Sequence, residues 1–390
     1  MISVTKLLGG PSFYGDRLRY AETSAKTQQG TSVGQGPVVV WNATKTCNLE
    51  CVHCYADAAK SKFNNELTTA EATALIDDLA SFNVPALLMS GGEPLVRPDI
   101  IDLATYAISK GVRVTFSTNG TLINAKVAKR LADIGVTYCG ISIDGAEADH
   151  DRMRARAGAF KEAVRGIRNC RKAGIRVGIR FTVTSENAPD LDSIFRLVED
   201  EDIGRLCIYH LVYSGRGAYL SGIDLPAEEK RVFMDKLLSQ VDRWNAEKRE
   251  VEVMTVDNHA DGPFIYLWLM QRDEARAQKA LQLISANGGN RSGMAIAAID
   301  SFGLVHPDQF TQTHTLGSIR ERKFSQIWSD HRVGLLDGLR NRKNKLKGRC
   351  GTCRWIDVCN GNFRARAEAV TGDYWESDPG CYLRESEIAL

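Results

Sequence analysis

Continuous apolar runs and helix-spaced apolar positions take turns along the first half of the chain. "VVVWNAT" (38–44) is a short apolar run and reads as a buried strand. Thr68 and Glu71 have capping-box spacing, and Ala72, Leu75, Ile76 and Leu79 follow at helical spacing, so an amphipathic helix is expected there. The pattern then repeats. Strands are expected at "PALLMS" (85–90), "VRVTFS" (112–117), "YCGISI" (138–143), "IRVGIRFTV" (175–183) and "LCIYHLV" (206–212). Helices between them are marked by Ile101, Ala104 and Ile108, by Val127, Leu131 and Ile134, by Phe160, Val164 and Ile167, and by residues 194–198. Strict alternation predicts a parallel sheet with helical crossovers. Six units are fewer than the eight of a closed barrel. The expected fold class is therefore α/β, an open, partial (β/α)6 barrel.

Either side of this region the pattern changes. Residues 1–36 read as an irregular lead-in, with "TQQGTSVGQGP" (27–37) a loose stretch. After residue 225 come a long helical stretch (226–248), "VEVMTVDNHADG" (251–262), a helix-like segment (267–286) and the turn "NGGNRSG". Strand-like pieces follow at 296–299 and 304–306. The expected organisation is a lead-in (1–36), a partial barrel (37–225), a helical linker region (226–289) and a C-terminal domain (290–390).

Composition narrows the function classes. Apolar content of 43% and charged content of 25% suit a soluble globular protein. A net charge of +2 gives no case for nucleic acid or a membrane surface as partner. No apolar run approaches the ~20 residues that span a bilayer, and the polar start lacks a signal peptide's core. A cytoplasmic location is expected, where ten cysteines serve as metal ligands or reduced core residues. Cys139, Cys170 and Cys207 lie on apolar strands or helix faces and read as core thiols.

Candidate chemistry starts at "KTCNLECVHCY" (45–55), where Cys47, Cys51 and Cys54 share one loop. Thiolates suit zinc and iron–sulfur clusters. Structural zinc takes four protein ligands, and each iron of a 4Fe–4S cluster also wants one. Three cysteines leave one iron open for a small molecule to chelate. His53 lies beside Cys54, a poor position for a fourth ligand to the same centre.

This run, with the aromatic Tyr55 after it, resembles the radical S-adenosylmethionine (SAM) superfamily. The resemblance extends over most of the chain. "GGEP" (91–94) follows the second strand, as the superfamily's SAM-binding loop does. By that resemblance Gly91 and Gly92 bring backbone amides close to the SAM methionyl group, and Glu93 accepts from its ammonium. Ser117 and Asn119 in "STNG" and Ser142 and Asp144 in "SIDG" end later strands and are expected at SAM, Asp144's loop at the ribose. Arg180, in the fifth strand, is expected as a polar contact to SAM.

The tail holds "CGTCRWIDVC" and "GCY", giving Cys350, Cys353, Cys359 and Cys381. Four thiolates complete either a 4Fe–4S cluster or a zinc site. The run resembles the SPASM extension of radical SAM enzymes, which usually carries seven cysteines and two auxiliary clusters. Here Phe363, Asp308 and Ser292 fall where three of those cysteines would stand. The resemblance thus implies two 4Fe–4S clusters in all, one of them auxiliary and fully ligated, with SAM as the other cofactor.

The single auxiliary site, the lead-in and "TVDNHADGPFIYLWL" resemble the NirJ-type enzymes of haem d1 biosynthesis and their relatives of the alternative haem pathway. That resemblance implies hydrogen abstraction by a 5′-deoxyadenosyl radical from an iron tetrapyrrole, 12,18-didecarboxysirohaem, at its propionates. The alternative-pathway relatives act on its acetates or on propionates of coproporphyrin. An electron donor such as a ferredoxin or flavodoxin is implied as partner. Arg216, after the sixth strand, is expected to meet substrate carboxylates. His210 and His259 are candidate axial or acid–base groups. Other readings are a peptide-modifying SPASM maturase, which often carries a longer module before its barrel, and an iron–sulfur electron carrier, which has no use for "GGEP".

Overall fold

The computed structural model describes residues 1–20, 30–31 and 35–389. Within the stretch expected to be loose, residues 27–29 and 32–34 lie outside the described residues. In chain order the strands are β1 (Ile2–Ser3), β2 (Val38–Asn42), β3 (Leu87–Ser90), β4 (Val114–Thr118), β5 (Tyr138–Ser142), β6 (Arg176–Val183), β7 (Arg205–His210), β8 (Glu252–Val256), β9 (Ile296–Ile299), β10 (Leu304–His306) and β11 (Gly317–Ser318). They form one sheet in the order β1-β8-β7-β6-β5-β4-β3-β2-β9-β10-β11. Every neighbour from β2 to β8 is parallel, and β9 adds parallel to the other side of β2. Antiparallel pairing is confined to the margins, β1 on β8 and β10 between β9 and β11. Among the described residues β1 and β11 do not pair, so the barrel stays open.

The six strands read from periodicity are β2 to β7, and the helix Thr69–Ser81 starts on the Thr68–Glu71 capping box. Alternate strand residues point to opposite faces. Trp41, Met89, Phe116, Ile141, Ile179 and Ile208 go under the helices and are at most 1% exposed. Burial of such side chains contributes roughly 1.5–3 kcal/mol each. Their neighbours in the alternate register, among them Val40, Leu88, Tyr138, Arg180 and Tyr209, line a cavity on the inner face. Cys139 and Cys170 are buried core thiols, whereas Cys207 lines that inner cavity.

The structure adds three features to these expectations. A seventh strand, β8, continues the parallel series. "EVMTV" is buried at every position, but Glu252 and Thr255 interrupt its apolar run, and no glycine or proline marks its end. The lead-in is also ordered from Ile2 to Leu8. β1 pairs with β8, the helix Val4–Leu7 follows, and Ile2, Val4, Leu7 and Leu8 are buried. The Thr5 hydroxyl donates to Val251 O and accepts from Val253 N, both at 2.9 Å. A two-residue strand has no readable period, yet it covers a sheet edge that would otherwise stand open. The segment from 290 onward, expected as a unit of its own, contributes β9 to the barrel sheet. Among the described residues no helix is long and apolar enough to cross a membrane.

Candidate active site

The loop after β2 carries Cys47, Cys51 and Cys54 to the carboxyl ends of the strands, where parallel sheets collect their ligands. All three line one chamber with about 1110 Å3 of atom-free space, its open mouth included. Donors point at the sulfurs. Leu49 N lies 3.3 Å from Cys47 Sγ, Ala58 N 3.4 Å from Cys54 Sγ, and Arg154 Nη1 3.5 Å from Cys51 Sγ. Burial pushes the Cys47 thiol up to about 12. A bound iron replaces that proton. Among the described residues no three Cys, His, Asp or Glu side chains are arranged to hold a single metal ion. Three thiols lining one chamber are a donor set that suits an iron–sulfur cluster.

Arg216 braces this loop. Its Nε donates to Cys51 O at 2.9 Å, and its Nη1 to Ala58 O at 2.8 Å and Asp57 Oδ1 at 3.0 Å. Its backbone N–H reaches Cys54 O at 3.0 Å, and a Cβ on the neighbouring Gly215 would stand 2.4 Å from Tyr55 O. Three of its donors thus close the cysteine loop, while Nη2 is buried without a partner and the side chain forms part of the chamber wall.

Gly91 and Gly92 line the chamber, but the reason they are glycines differs from the expected one. A Cβ at Gly91 would meet Thr44 O at 2.4 Å, and one at Gly92 would meet Thr46 O at 2.3 Å. The Gly92 and Glu93 amides donate to those same carbonyls at 2.7 and 3.0 Å. The glycines let this loop pack against the cysteine loop. Glu93 is fully buried and is not part of the chamber wall. Its Oε1 accepts from Leu95 N at 3.1 Å and Thr118 Oγ1 at 2.8 Å, and its Oε2 from Asn119 N at 2.8 Å. Through these bonds Glu93 braces two loops.

Asp144 is also fully buried behind the wall. Its Oδ1 accepts from Thr182 N at 3.0 Å, and its Oδ2 pairs with Arg154 and lies 3.5 Å from His53 Nε2. Burial pushes its pKa up, but Arg154, with His53 and His150, outweighs that and holds the carboxyl below its ordinary value. Asp144 thereby orients Arg154, which reaches Cys51. Arg154 lies in "DRMRARAG", a run that reads as a solvated charged end, so its role left no signal in the sequence. The remaining expected residues face the chamber. Ser117 holds Arg180 Nη1, Arg180 lies over the Tyr209 ring at 5.3 Å, and Ser142 and Asn119 complete that wall. Tyr55 OH reaches Asn42 Oδ1 at 3.1 Å.

His210 lines the same chamber, its Nε2 3.0 Å from Asp261 Oδ2 and its Nδ1 buried without a partner. His259 lines the inner cavity instead. Its backbone N–H donates to Asn362 Oδ1 at 2.5 Å, and burial pulls its pKa well below the usual value. The geometry therefore separates two candidate histidines that the sequence left together.

A model of the Radical SAM superfamily matches residues 41–198. Fe-coproporphyrin III synthase of Methanosarcina barkeri (strain Fusaro / DSM 804) is 48% identical over 394 residues, spanning 100% of this chain and 99% of that protein. The chain belongs to the radical SAM superfamily. Pre-heme d1 synthase of Dinoroseobacter shibae (strain DSM 16493 / NCIMB 14021 / DFL 12) is 40% identical across 96% of this chain and 92% of its own length. Streptococcus suis SuiB bound to S-adenosylmethionine has the same fold, with a TM-score of 0.70 over 90% of this chain and 78% of that one at 15% identity.

A radical SAM enzyme works with a 4Fe–4S cluster and SAM, and the chamber suits both. Beside the thiols, Arg180 Nε, Arg216 Nη2 and His210 Nδ1 are buried polar atoms without partners. A ligand that brings a carboxylate, an ammonium and ribose hydroxyls has work for such atoms. In this radical SAM chain the tail cysteines also share one cavity, lined by Cys350, Cys353, Cys359 and Cys381. Trp355 N lies 3.4 Å from Cys353 Sγ, and burial pushes the Cys381 thiol up to about 11. Ser292, Asp308 and Phe363 wall the inner cavity. Asp308 Oδ1 caps its own turn, accepting from Phe310 N and Thr311 N at 2.9 Å.

Proposed function

We propose that this radical SAM enzyme modifies side chains of an iron tetrapyrrole in haem biosynthesis. End-to-end likeness to the Methanosarcina barkeri synthase, at 48% identity, carries the reading. On this reading Cys47, Cys51 and Cys54 hold the SAM-binding cluster. When bound, that cluster and SAM supply a 5′-deoxyadenosyl radical for hydrogen abstraction. Arg154 steadies the Cys51 sulfur, and Asp144 steadies Arg154. Arg180, Ser117, Ser142 and Asn119 face SAM, and Tyr55 closes the cluster side of the chamber. Cys350, Cys353, Cys359 and Cys381 hold a second 4Fe–4S cluster. With four protein thiolates it has no open iron for substrate, so it serves electron transfer or structure. A ferredoxin or flavodoxin delivers the electron.

The substrate is 12,18-didecarboxysirohaem. Loss of the two acetate side chains, giving Fe-coproporphyrin III, is the first reading, because the 48% relative matches over the greater share of both chains. The second is removal of propionates toward haem d1, supported by 40% identity to the Dinoroseobacter shibae protein. The inner cavity, with about 1510 Å3 of atom-free space including its mouth, supports a large flat substrate over a small one. Anaerobic incubation with the tetrapyrrole, SAM and a reductant, followed by mass analysis, separates the readings. Loss of both whole acetate chains supports the first, and lost propionate chains support the second. An untouched tetrapyrrole beside a modified peptide would refute both.

A further inference from the structure

β8 ends on Asp257, whose backbone is left-handed, with φ at 68°. That conformation is uncommon outside glycine and persists where the surroundings enforce it. Here Arg366 enforces it. Its Nη2 donates to Asp257 O at 2.9 Å and its Nη1 to Leu211 O at 3.0 Å. Its own position is locked by Asp378, bonded through Nε and Nη2 at 2.8 Å, with both side chains fully buried. The strained turn puts Asp257 where the SAM chamber meets the inner cavity. The residue lines both cavities and is 6% exposed, and its Oδ2 is buried with no hydrogen-bond partner. The walls shared with it are apolar or aromatic at Val40, Leu88, Tyr209 and Phe310, and polar at Arg180 and Gln309. A buried carboxyl without a partner is costly, and a ligand at the junction removes that cost.

We propose that Asp257 is a specificity-determining residue whose carboxyl hydrogen-bonds a side-chain carboxylate of the substrate and selects the substituent turned toward SAM. This rests on the tetrapyrrole reading above. Burial pushes the Asp257 pKa up to about 7, helped by Asp308 and opposed by the Met1 amino group, Arg366 and Arg180. Gln309, which lines both cavities, and His259 on the inner-cavity side complete the polar surroundings. A protonated carboxyl donates to a carboxylate, whereas an ionised one repels it. Binding is therefore strongest below the Asp257 pKa and weakens as pH rises through about 7.

Two variants test this in the full-length, anaerobically reconstituted protein. Asp257→Gly accepts the left-handed backbone and removes the carboxyl. Asp257→Asn tolerates the same backbone and keeps a donor. Each is titrated with 12,18-didecarboxysirohaem by visible absorption from about pH 5.5 to about 8.5, a span centred near the raised carboxyl pKa. The wild type should lose affinity across that range. Asp257→Asn should keep the acid-side affinity throughout. Asp257→Gly should bind roughly tenfold or more weakly at the acid end, with little pH dependence. SAM binding should match in all three. An Asp257→Gly protein that binds the tetrapyrrole as tightly as wild type overturns the proposal. So does an Asp257→Asn protein that loses SAM binding, because the carboxyl would then serve SAM. A wild type that takes up no iron tetrapyrrole overturns the tetrapyrrole reading and this proposal with it.

Discussion

Glu93 lies behind the chamber with three donors aimed at its two oxygens. Glu93→Gln preserves the shape. It can keep Oε1 for Leu95 N and Thr118 Oγ1, but then its amide faces the Asn119 N–H, donor against donor. Leaving that buried group unmet costs about 1–3 kcal/mol. The SAM-free variant should melt a few degrees lower. A variant that melts normally without SAM and binds SAM poorly would return Glu93 to the ammonium. There is also a pH signature. Burial pushes Glu93 from 4.5 up to about 7. Between those values the folded protein retains a proton that the unfolded chain releases. This group's contribution is full below about 4.5 and is lost as pH rises through about 7. Denaturation midpoints across that window should fall less steeply in the Gln variant than in the wild type.

Elements with a visible period were legible from sequence, and those without one were not. β2 to β7, the capping box at Thr68 and the chemistry at strand ends all leave local patterns. Glu252 and Thr255 interrupt the apolar run of β8, and β1 has two residues, so neither shows a period. The wiring between elements leaves even less trace. Arg216 and Cys51 are 165 residues apart in sequence. In the helix Arg364–Thr371, Arg364 and Arg366 are 1% and 0% exposed, although nothing local in "RARAEAVT" marks buried arginines. Arg366 ties the tail to the ends of β7 and β8 and neutralises Asp378. Arg366→Leu strands a buried carboxylate, which costs about 3–5 kcal/mol. Urea unfolding should show a loss of that size. Adding Asp378→Asn removes the stranded charge while keeping an acceptor for Phe363 N or Gly380 N, and should recover part of it. No recovery would mean that the tether to the strand ends, not the charge, sets the stability.

Across the whole molecule, the SAM chamber, the inner cavity and the tail cavity lie in one chain whose sheet runs from β1 to β11. The cysteines of the first and last were legible because thiolate spacing is local. The inner cavity was legible only as an absence, in that Ser292, Asp308 and Phe363 stand where the resembled SPASM pattern has thiolates. All three wall that cavity. Phe363 packs on Phe310 with ring centres 5.5 Å apart, and Asp308 is engaged by its own turn. Phenyl and hard oxygen groups are poor ligands for an iron–sulfur cluster, and these are already occupied. The reconstituted protein should hold about eight irons and about eight sulfides, from two cubane clusters. Replacing Cys47, Cys51 and Cys54 together by Ala should remove about half the iron and abolish SAM cleavage, while leaving the tail cluster's absorption. About twelve irons in the wild type would require a third cluster held by other ligands. A triple variant with one zinc and no iron would make Cys350, Cys353, Cys359 and Cys381 a zinc site. Four thiolates permit either metal centre, so iron and zinc must be measured on the same sample.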